Sequence, residues 1–488
     1  MKHFSEYLNF LYPLVKNADA KDDPVIQGVT CDSRKVKPGF MFVAITGAQN
    51  DGHKFIDTAV ANGAAAIVHA RKLSGKYPEA AAAQVVDPYY AYALACECFF
   101  KYPASKMRLH GITGTNGKTT TAYILEHILQ FNKVPCGLIS TIEYRVGSVA
   151  EAASRTTPEA YKLHELFYEM RSHGCTDAVM EVSSHGLDQH RAGNVKFYNT
   201  VFTNLTGDHL DYHKDMDSYY QAKKRLFFEY MDPDGFRIIN TDDPYGAKLV
   251  SEFTRGKVIK FGKAPDCFCQ IGKIMCDAAG SLFSLRIDRC HIDIRTNLIG
   301  EHNVYNITAA VCAAIASGIM PEKIVEALEQ DITIPGRLEH FRDSKGTSYF
   351  VDYAHTDDAL RNVLSILRKI ASGRLITVFG CGGDRDRSKR PRMGKAASEL
   401  SDLIILTSDN PRSEEPMGII QEIMSGVPDD FHLLIEPDRK GAIELAQIEA
   451  RSGDIVLIAG KGHETYQEHN GEFYDFDDRE IVRHLCNL

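Results

Sequence analysis

From residue 104 onward, short unbroken apolar runs alternate with longer stretches in which apolar positions recur every three or four residues. MRLHGIT, TDAVMEVS, YNTVFTNL, FRIIN and KVIKFG read as buried strands, and PEAYKLHELFYEMRSH and SYYQAKKRLFFEYM as amphipathic helices. The rhythm resumes after Pro335-Gly336, a predicted break between domains. There YFVDYAH is followed by a helix from Asp358, and RLITVFG, DLIILTSD and DIVLIAG each precede a helical stretch. Such alternation predicts the α/β class, with mostly parallel sheets covered by helices. Ligands gather at the carboxyl ends of strands in such sheets. The polar clusters lie at those ends, after GIT, VFG, LTSDN and LIAG. Before Pro103 the pattern differs, mixing short apolar stretches (MFVAI, AAAIV) with the turn-rich KPGF and GAQNDGH. The expected domains are residues 1–103, 104–335 and 336–488.

Length agrees, since 488 residues exceed one ordinary hydrophobic core and suggest about three domains. A 44% hydrophobic, 25% charged composition is that of a globular chain. The N-terminal residues lack the apolar block of a signal peptide, and no apolar run approaches the ~18 residues of a membrane span. A cytoplasmic location is therefore expected. The twelve cysteines include the close pairs Cys96/Cys98 and Cys267/Cys269, whose spacing does not suit zinc, so free thiols are expected. A net charge of −9 argues against nucleic acid as a partner but not against a small anionic substrate held by a few focused cations.

The sharpest chemical signal is Gly111-Ile-Thr-Gly-Thr-Asn-Gly-Lys-Thr-Thr120, after a predicted strand and opening a helix that runs to about Leu129. Glycines let backbone N–H groups approach phosphate oxygens, and the helix N-terminus adds a favourable dipole. Lys118 could bridge the terminal phosphates of ATP, and the Thr119 hydroxyl could ligate Mg²⁺. The strict phosphate-loop pattern would put glycine where Ile112 stands, and the glycines at 111, 114 and 117 do not match a dinucleotide fingerprint.

GITGTNGKTT resembles the loop of the Mur ligase family, which includes the folylpolyglutamate synthetases. The resemblance extends along the chain through Cys31-Asp-Ser-Arg34 with KPGFMFVAITGAQNDGH, Arg155-Thr-Thr-Pro158, Met180-Glu-Val-Ser-Ser-His-Gly-Leu187 with Gln189-His-Arg191, and Phe202-Thr-Asn-Leu-Thr-Gly-Asp-His-Leu-Asp211. It continues in Tyr220-Gln-Ala-Lys223, Gly300-Glu-His-Asn303, Pro335-Gly-Arg337, Asp352-Tyr-Ala-His355, Gly380-Cys-Gly-Gly-Asp-Arg385, Asp409-Asn-Pro-Arg412 and Gly460-Lys-Gly-His-Glu464. It is strongest to the branch that adds the third peptide residue to a UDP-N-acetylmuramoyl dipeptide. The resemblance implies an N-terminal UDP-substrate domain, a central P-loop ATPase domain and a C-terminal Rossmann-like domain that receives the amino acid. It also implies a mechanism: a substrate carboxylate attacks the γ-phosphate of ATP, and an amine then displaces phosphate from the acyl phosphate.

The resemblance assigns ATP to Gly114, Thr115, Asn116, Gly117, Lys118, Thr119, Thr120, Asn303, Arg337 and Asp352. Taken alone, Asp352 reads equally well as a turn-capping aspartate. The expected Mg²⁺ ligands are Thr119, Glu181, His209 and a carbamylated Lys223, with Lys118, Lys223, Glu181, His209 and Arg337 as the catalytic set. On sequence chemistry alone Lys223, beside Lys224 on a predicted helix, reads as part of a solvated basic face, and His213 as an ordinary loop histidine. Cys31, Ser33, Thr156, Thr157, Ser183, Gln189 and Arg191 match positions that bind the UDP-sugar peptide, although any single Ser or Thr would read as a cap or turn residue. Arg385, Asp409, Asn410, Pro411, Arg412, Gly460 and Glu464 match the amino-acid site.

The DNPR segment of the resemblance implies meso-diaminopimelate as the amino acid, and since a guanidinium can grip a carboxylate bidentately, Arg412 and Arg385 are expected on its distal carboxylate and Glu464 on its ammonium. The expected partners are therefore this amino acid and UDP-MurNAc-L-Ala-D-Glu, with no nucleic acid or membrane, and a monomer is expected. A folylpolyglutamate synthetase-like ligase is disfavoured by the DSR and DNPR segments. A nucleotide-dependent regulatory protein is disfavoured by the intact Lys118, Glu181, His209, Lys223 and Arg337.

Overall fold

The computed structural model describes every residue except 1, 21, 48, 49, 74, 76 and 488, and leaves the side chains of 210 and 211 aside. Residues 48 and 49 of the expected GAQNDGH turn thus lie outside the described residues. By their internal contacts the residues form two compact units. The first spans 1–273, 284–293 and 304–328, and the second spans 274–283, 294–303 and 329–488.

In the first unit, four parallel strands lie side by side in the order Gly28–Thr30, Phe40–Val43, Ala64–His69 and Ala81–Val85, with Val15–Asp19 antiparallel at the edge. Helices Phe4–Leu11 and Pro88–Phe99 bury Phe4, Tyr7, Leu11 and Leu94 in the core beside this sheet. The central sheet has a run of six parallel strands, ordered Cys136–Ile139, Asp177–Glu181, Arg108–Thr113, Phe197–Phe202, Met231–Asn240 and Lys257–Gly262. Its register pairs Glu181 with Ile112 and Phe202 with Thr113, so three strand ends stop level. That alignment sets the segments after Thr113, Glu181 and Phe202 side by side. The expected helices appear at Lys118–Phe131, Ala160–Ser172 and Met216–Phe228.

In the second unit the strand order is Glu339–Arg342, Ser348–Asp352, Ile455–Ala459, Leu375–Phe379, Leu403–Leu406 and Leu433–Ile435, all parallel except the first pair. Asp352 and Phe379 both stand opposite Ala459, and Phe379 opposite Leu406, which brings the DYAH, GCGGDR, DNPR and GKGHE segments to one edge. Helix Asp357–Ile370 is capped by Thr356 and buries Leu360, Leu364 and Leu367 at helical spacing. The twelve cysteines are free thiols. Among the described residues no helix is long and apolar enough to cross a membrane.

The deepest charge pair of the second unit is Arg439–Asp478, both fully buried. Arg439 Nε and Nη2 each donate to the carboxylate at 2.8 Å, and Nη2 also donates to the Ala459 carbonyl at 3.0 Å, beneath the end of a central strand. Asp478→Ala would strand a buried guanidinium, which costs about 3–5 kcal/mol. Urea unfolding should show a midpoint lowered accordingly, whereas an unchanged midpoint would mean the pair carries little of the fold.

Candidate active site

Strand Arg108–Thr113 delivers the chain into a turn that Gly117, at φ 86°, closes into helix Lys118–Phe131. No side chain caps this helix, so its first N–H groups and positive dipole end are offered to an anion. Two of the glycines are demanded by space. A Cβ on Gly114 would meet Thr203 Oγ1 at 1.9 Å, and one on Gly117 would meet Asn306 Oδ1 at 2.2 Å. Gly111 does something else: it lies inside the strand, where a Cβ would strike the Phe197 ring. The expected loop thus divides into a strand end at 111–113 and a turn at 114–117.

The turn is clamped from one side by the next strand's exit. Thr115 N and Asn116 N donate to Asn204 O and Asn204 Oδ1, both at 2.9 Å, and Thr203 Oγ1 donates to Asn116 O at 2.6 Å. Across its mouth, Lys118 Nζ donates to the carbonyls of Gly114 (3.0 Å) and Thr115 (2.8 Å). Lys223 Nζ donates to the same Gly114 carbonyl at 2.8 Å. Two amino groups therefore converge on one oxygen.

Lys223 does not belong to a solvated face. It is 1% exposed on helix Met216–Phe228, with its Nζ 4.6 Å from the Tyr219 ring centre, whereas Lys224 turns outward to pair with Glu252 at 2.5 Å. Successive residues lie about 100° apart around a helix, so only one of two adjacent lysines can face inward. Burial, reinforced by the Lys118 ammonium, pushes the Lys223 amine well below the usual lysine range, with Asp208 opposing.

One strand away, Glu181 is fully buried at the end of Asp177–Glu181. Its carboxylate accepts from Thr141 N at 2.7 Å and Thr141 Oγ1 at 3.1 Å, and Thr141 Oγ1 also lies 3.1 Å from Thr156 Oγ1. Thr157 Oγ1 donates to the Glu181 carbonyl at 3.0 Å and accepts from Ser183 N at 2.9 Å. Ser183 caps the short helix 184–188 by accepting from Gly186 N. Arg191 is buried. Its Nη1 donates to the Thr157 carbonyl at 2.6 Å, and its Nε and Nη2 donate to Gln189 Oε1. Glu181, Thr156, Thr157, Ser183, Gln189 and Arg191 thus form one connected wall. His209, 46% exposed at φ 53°, stands edge-on to His185 at 5.1 Å. His213 is buried against His185 and Tyr219 and does not behave as a loop histidine. In the N-terminal sheet's rim, Ser33 is buried in the turn Ser33–Lys35, which Asp32 caps, and burial raises the neighbouring Cys31 thiol.

In the second unit Asn303 is buried, with its Nδ2 donating to Ile299 O at 2.9 Å. Arg337 holds its guanidinium 5.1 Å from the Tyr353 ring centre. Both Asp352 oxygens accept backbone N–H groups, from Leu338 and Ala354 at 2.8 Å each, the turn-capping arrangement. Asn410 sits at the hub of the DNPR and GKGHE segments. Its Nδ2 donates to Glu464 Oε2 at 2.9 Å, and its Oδ1 accepts from Lys461 Nζ at 3.1 Å. Gly460 adopts φ 114°, a conformation that favours glycine, and a Cβ there would reach Asp409 Oδ2 at 2.7 Å. Arg412 is held by Glu468 and Gly383, while Arg385 is exposed on the adjacent loop. Thr203, Asn204 and Lys461 lie within segments that carry the family resemblance but were given no role, and Thr141, Asn306 and Glu468 lie in none. Position at a strand's carboxyl end was the available signal for Thr141, Thr203, Asn204 and Lys461.

The chain matches the models of the Mur ligase family, catalytic domain, over residues 25–99, the Mur ligase middle domain over 112–314, and the Mur ligase glutamate ligase domain over 336–462. It is 44% identical to the UDP-N-acetylmuramoyl-L-alanyl-D-glutamate–2,6-diaminopimelate ligase of Aquifex aeolicus, over 94% of this chain and 93% of the relative. A solved structure of a ligase with that same name aligns with a TM-score of 0.73 at 32% identity, over 99% of this chain and 98% of the other. A MurF ligase from Thermotoga maritima in complex with ADP shares the fold at a TM-score of 0.59 and 19% identity, over 88% and 93% of the two chains.

Gly117→Ala should abolish nucleotide-dependent turnover, because the methyl meets Asn306 and the left-handed backbone costs a further ~1–2 kcal/mol. Adding Asn306→Ala should restore part of the activity by relieving the clash alone. Recovery to the parental rate, or full activity of the single variant, would contradict this account of the turn.

Proposed function

The chain belongs to the Mur ligase family, and from that premise we propose that it adds meso-diaminopimelate to UDP-N-acetylmuramoyl-L-alanyl-D-glutamate at the expense of ATP, a step of peptidoglycan precursor synthesis. The observation that supports this reading most is the meeting of Lys118 and Lys223 at the mouth of an uncapped helix.

In the proposed reaction a glutamyl carboxylate oxygen bonds to the γ-phosphorus and ADP leaves. The amine nitrogen then bonds to the acyl carbon through a tetrahedral intermediate, phosphate departs with the former bonding pair, and the amine loses its proton. Lys118 moves from its own loop's carbonyls to the transferring phosphate, a preorganised charge of the kind worth about 3–4 kcal/mol of barrier. Thr115, Asn116, Thr119 and Thr120 border the phosphates, and Asn303, Arg337 and Asp352 are the further proposed nucleotide contacts. Ser33, Thr156, Thr157, Ser183, Gln189 and Arg191 hold the UDP dipeptide, with Cys31 beside Ser33.

Burial holds the Lys223 amine well below the usual lysine range, a neutral amine is the form that adds to CO₂, and the resulting carbamate would carry hard oxygens beside the loop. With Thr119 and Glu181 it suits Mg²⁺, which takes one or two carboxylates plus phosphate and water oxygens and needs no cage of protein ligands. Among the described residues no three His, Cys, Asp or Glu side chains group to hold a metal by themselves, and His209 is the remaining candidate ligand. Mg²⁺ would supply charge neutralisation on the phosphates.

Phosphate release should require ATP, the UDP dipeptide and diaminopimelate together, and release with any one omitted would remove the ligase reading. Lys223→Ala should lose most activity and regain part with acetate or formate, while Lys224→Ala should lose little. Equal effects at the two lysines would reject the carbamate. Lysine in place of diaminopimelate should be turned over on the order of 10⁴-fold less efficiently, because it leaves Arg412 without its carboxylate. Comparable kcat/KM for the two amines would contradict that role.

A further inference from the structure

Five hydrogen bonds tie the DNPR segment to the hairpin formed by Tyr466–His469 and Glu472–Asp475. Gln467 Nε2 donates to Asp409 O at 2.7 Å, and Glu468 N to Asn410 Oδ1 at 3.0 Å. Arg412 N donates to Glu468 O at 3.1 Å, Asn470 N to Arg412 O at 2.8 Å, and Arg412 Nε to Glu468 Oε2 at 2.9 Å. These bonds hold Arg412 in the left-handed region, at φ 53°, which a non-glycine residue keeps only when its surroundings enforce it.

A guanidinium offers five N–H donors in a rigid fork. Glu468 takes the Nε donor, and the Gly383 carbonyl takes one Nη1 donor at 2.8 Å. Among the described residues the second Nη1 donor and both Nη2 donors have no further partner, and these remain for a ligand. Arg412 is 18% and Glu468 21% exposed, so the pair is only thinly screened by water.

Resting on the reading of Arg412 as the carboxylate contact, we propose that Glu468 is a specificity-determining positioning residue. It fixes the Arg412 fork so that the Nη1–Nη2 edge receives the distal carboxylate of the incoming amino acid. The hairpin thereby sets the amino-acid site through Arg412 without touching the substrate. A fork already immobilised loses less freedom on binding than a mobile one, so the preset shows in the affinity for that amino acid alone.

The test is steady-state kinetics of the full-length enzyme, with each of the three substrates varied in turn. Glu468→Ala should raise the KM for diaminopimelate about tenfold or more, and leave the KM for ATP and for the UDP dipeptide within about twofold. Glu468→Gln keeps an oxygen acceptor for Nε and should recover most of the loss. In an Arg412→Ala background, Glu468→Ala should add almost nothing. The proposal is overturned if the three KM values rise together, if none moves, if Gln behaves as Ala does, or if the two substitutions multiply. Should Arg412→Ala itself leave the diaminopimelate KM unchanged, the reading of Arg412 falls, and the role of Glu468 falls with it. Melting temperatures of all variants within a few degrees of the parent, together with the Gln rescue, separate positioning from loss of fold.

Discussion

A buried lysine with its amino group on a backbone carbonyl is the constraint on which the rest of the first unit's site depends. Lys223 and Lys118 share the Gly114 oxygen, and like charges that close cannot both persist away from water. The more open position belongs to Lys118, at the helix mouth, so burial and the Lys118 ammonium fall on Lys223 and push its amine well below the usual lysine range. No salt bridge to a carboxylate compensates Lys223 among the described residues, and a buried ammonium would cost several kcal/mol. A site that keeps so unfavourable a side chain fully inside invites a chemical use for a neutral amine, and the proposed carbamate provides one.

The same economy organises both units. Parallel strands stopping in register place polar exits side by side, so residues distant in sequence share a wall without any long-range loop. In the first unit the exits hold the glycine turn, with Asn204 on one side and Lys223 on the other. In the second, Asn410 links the DNPR and GKGHE exits, and the terminal hairpin locks Arg412. Charged groups in both places are tied to backbone or to one another, the preorganisation that the proposed catalysis and selective binding would require.

Much of this was legible in the sequence. Continuous apolar runs announced the central strands, and a glycine-rich segment between a strand and a helix announced the turn. What escaped were features that only the third dimension supplies. The three-residue strand Leu433–Ile435 is too short to show a period. The hairpin 466–475 is polar and half-exposed, so no alternation marks it. On sequence chemistry alone Lys223 reads as solvated, and only the family resemblance singled it out; helix phase, not composition, separates it from Lys224 at the surface. Thr141 and Glu468 carry no motif of their own. They matter through Glu181 and Arg412, a relation invisible until the side chains meet.

The most direct test of the central claim is ¹³C NMR of the protein equilibrated with ¹³C-labelled bicarbonate. The account predicts one slowly exchanging carbamate carbonyl signal, present in the parent and in Lys224→Ala and lost in Lys223→Ala. A parent enzyme that is active yet shows no such signal, or a signal that survives Lys223→Ala, would contradict it.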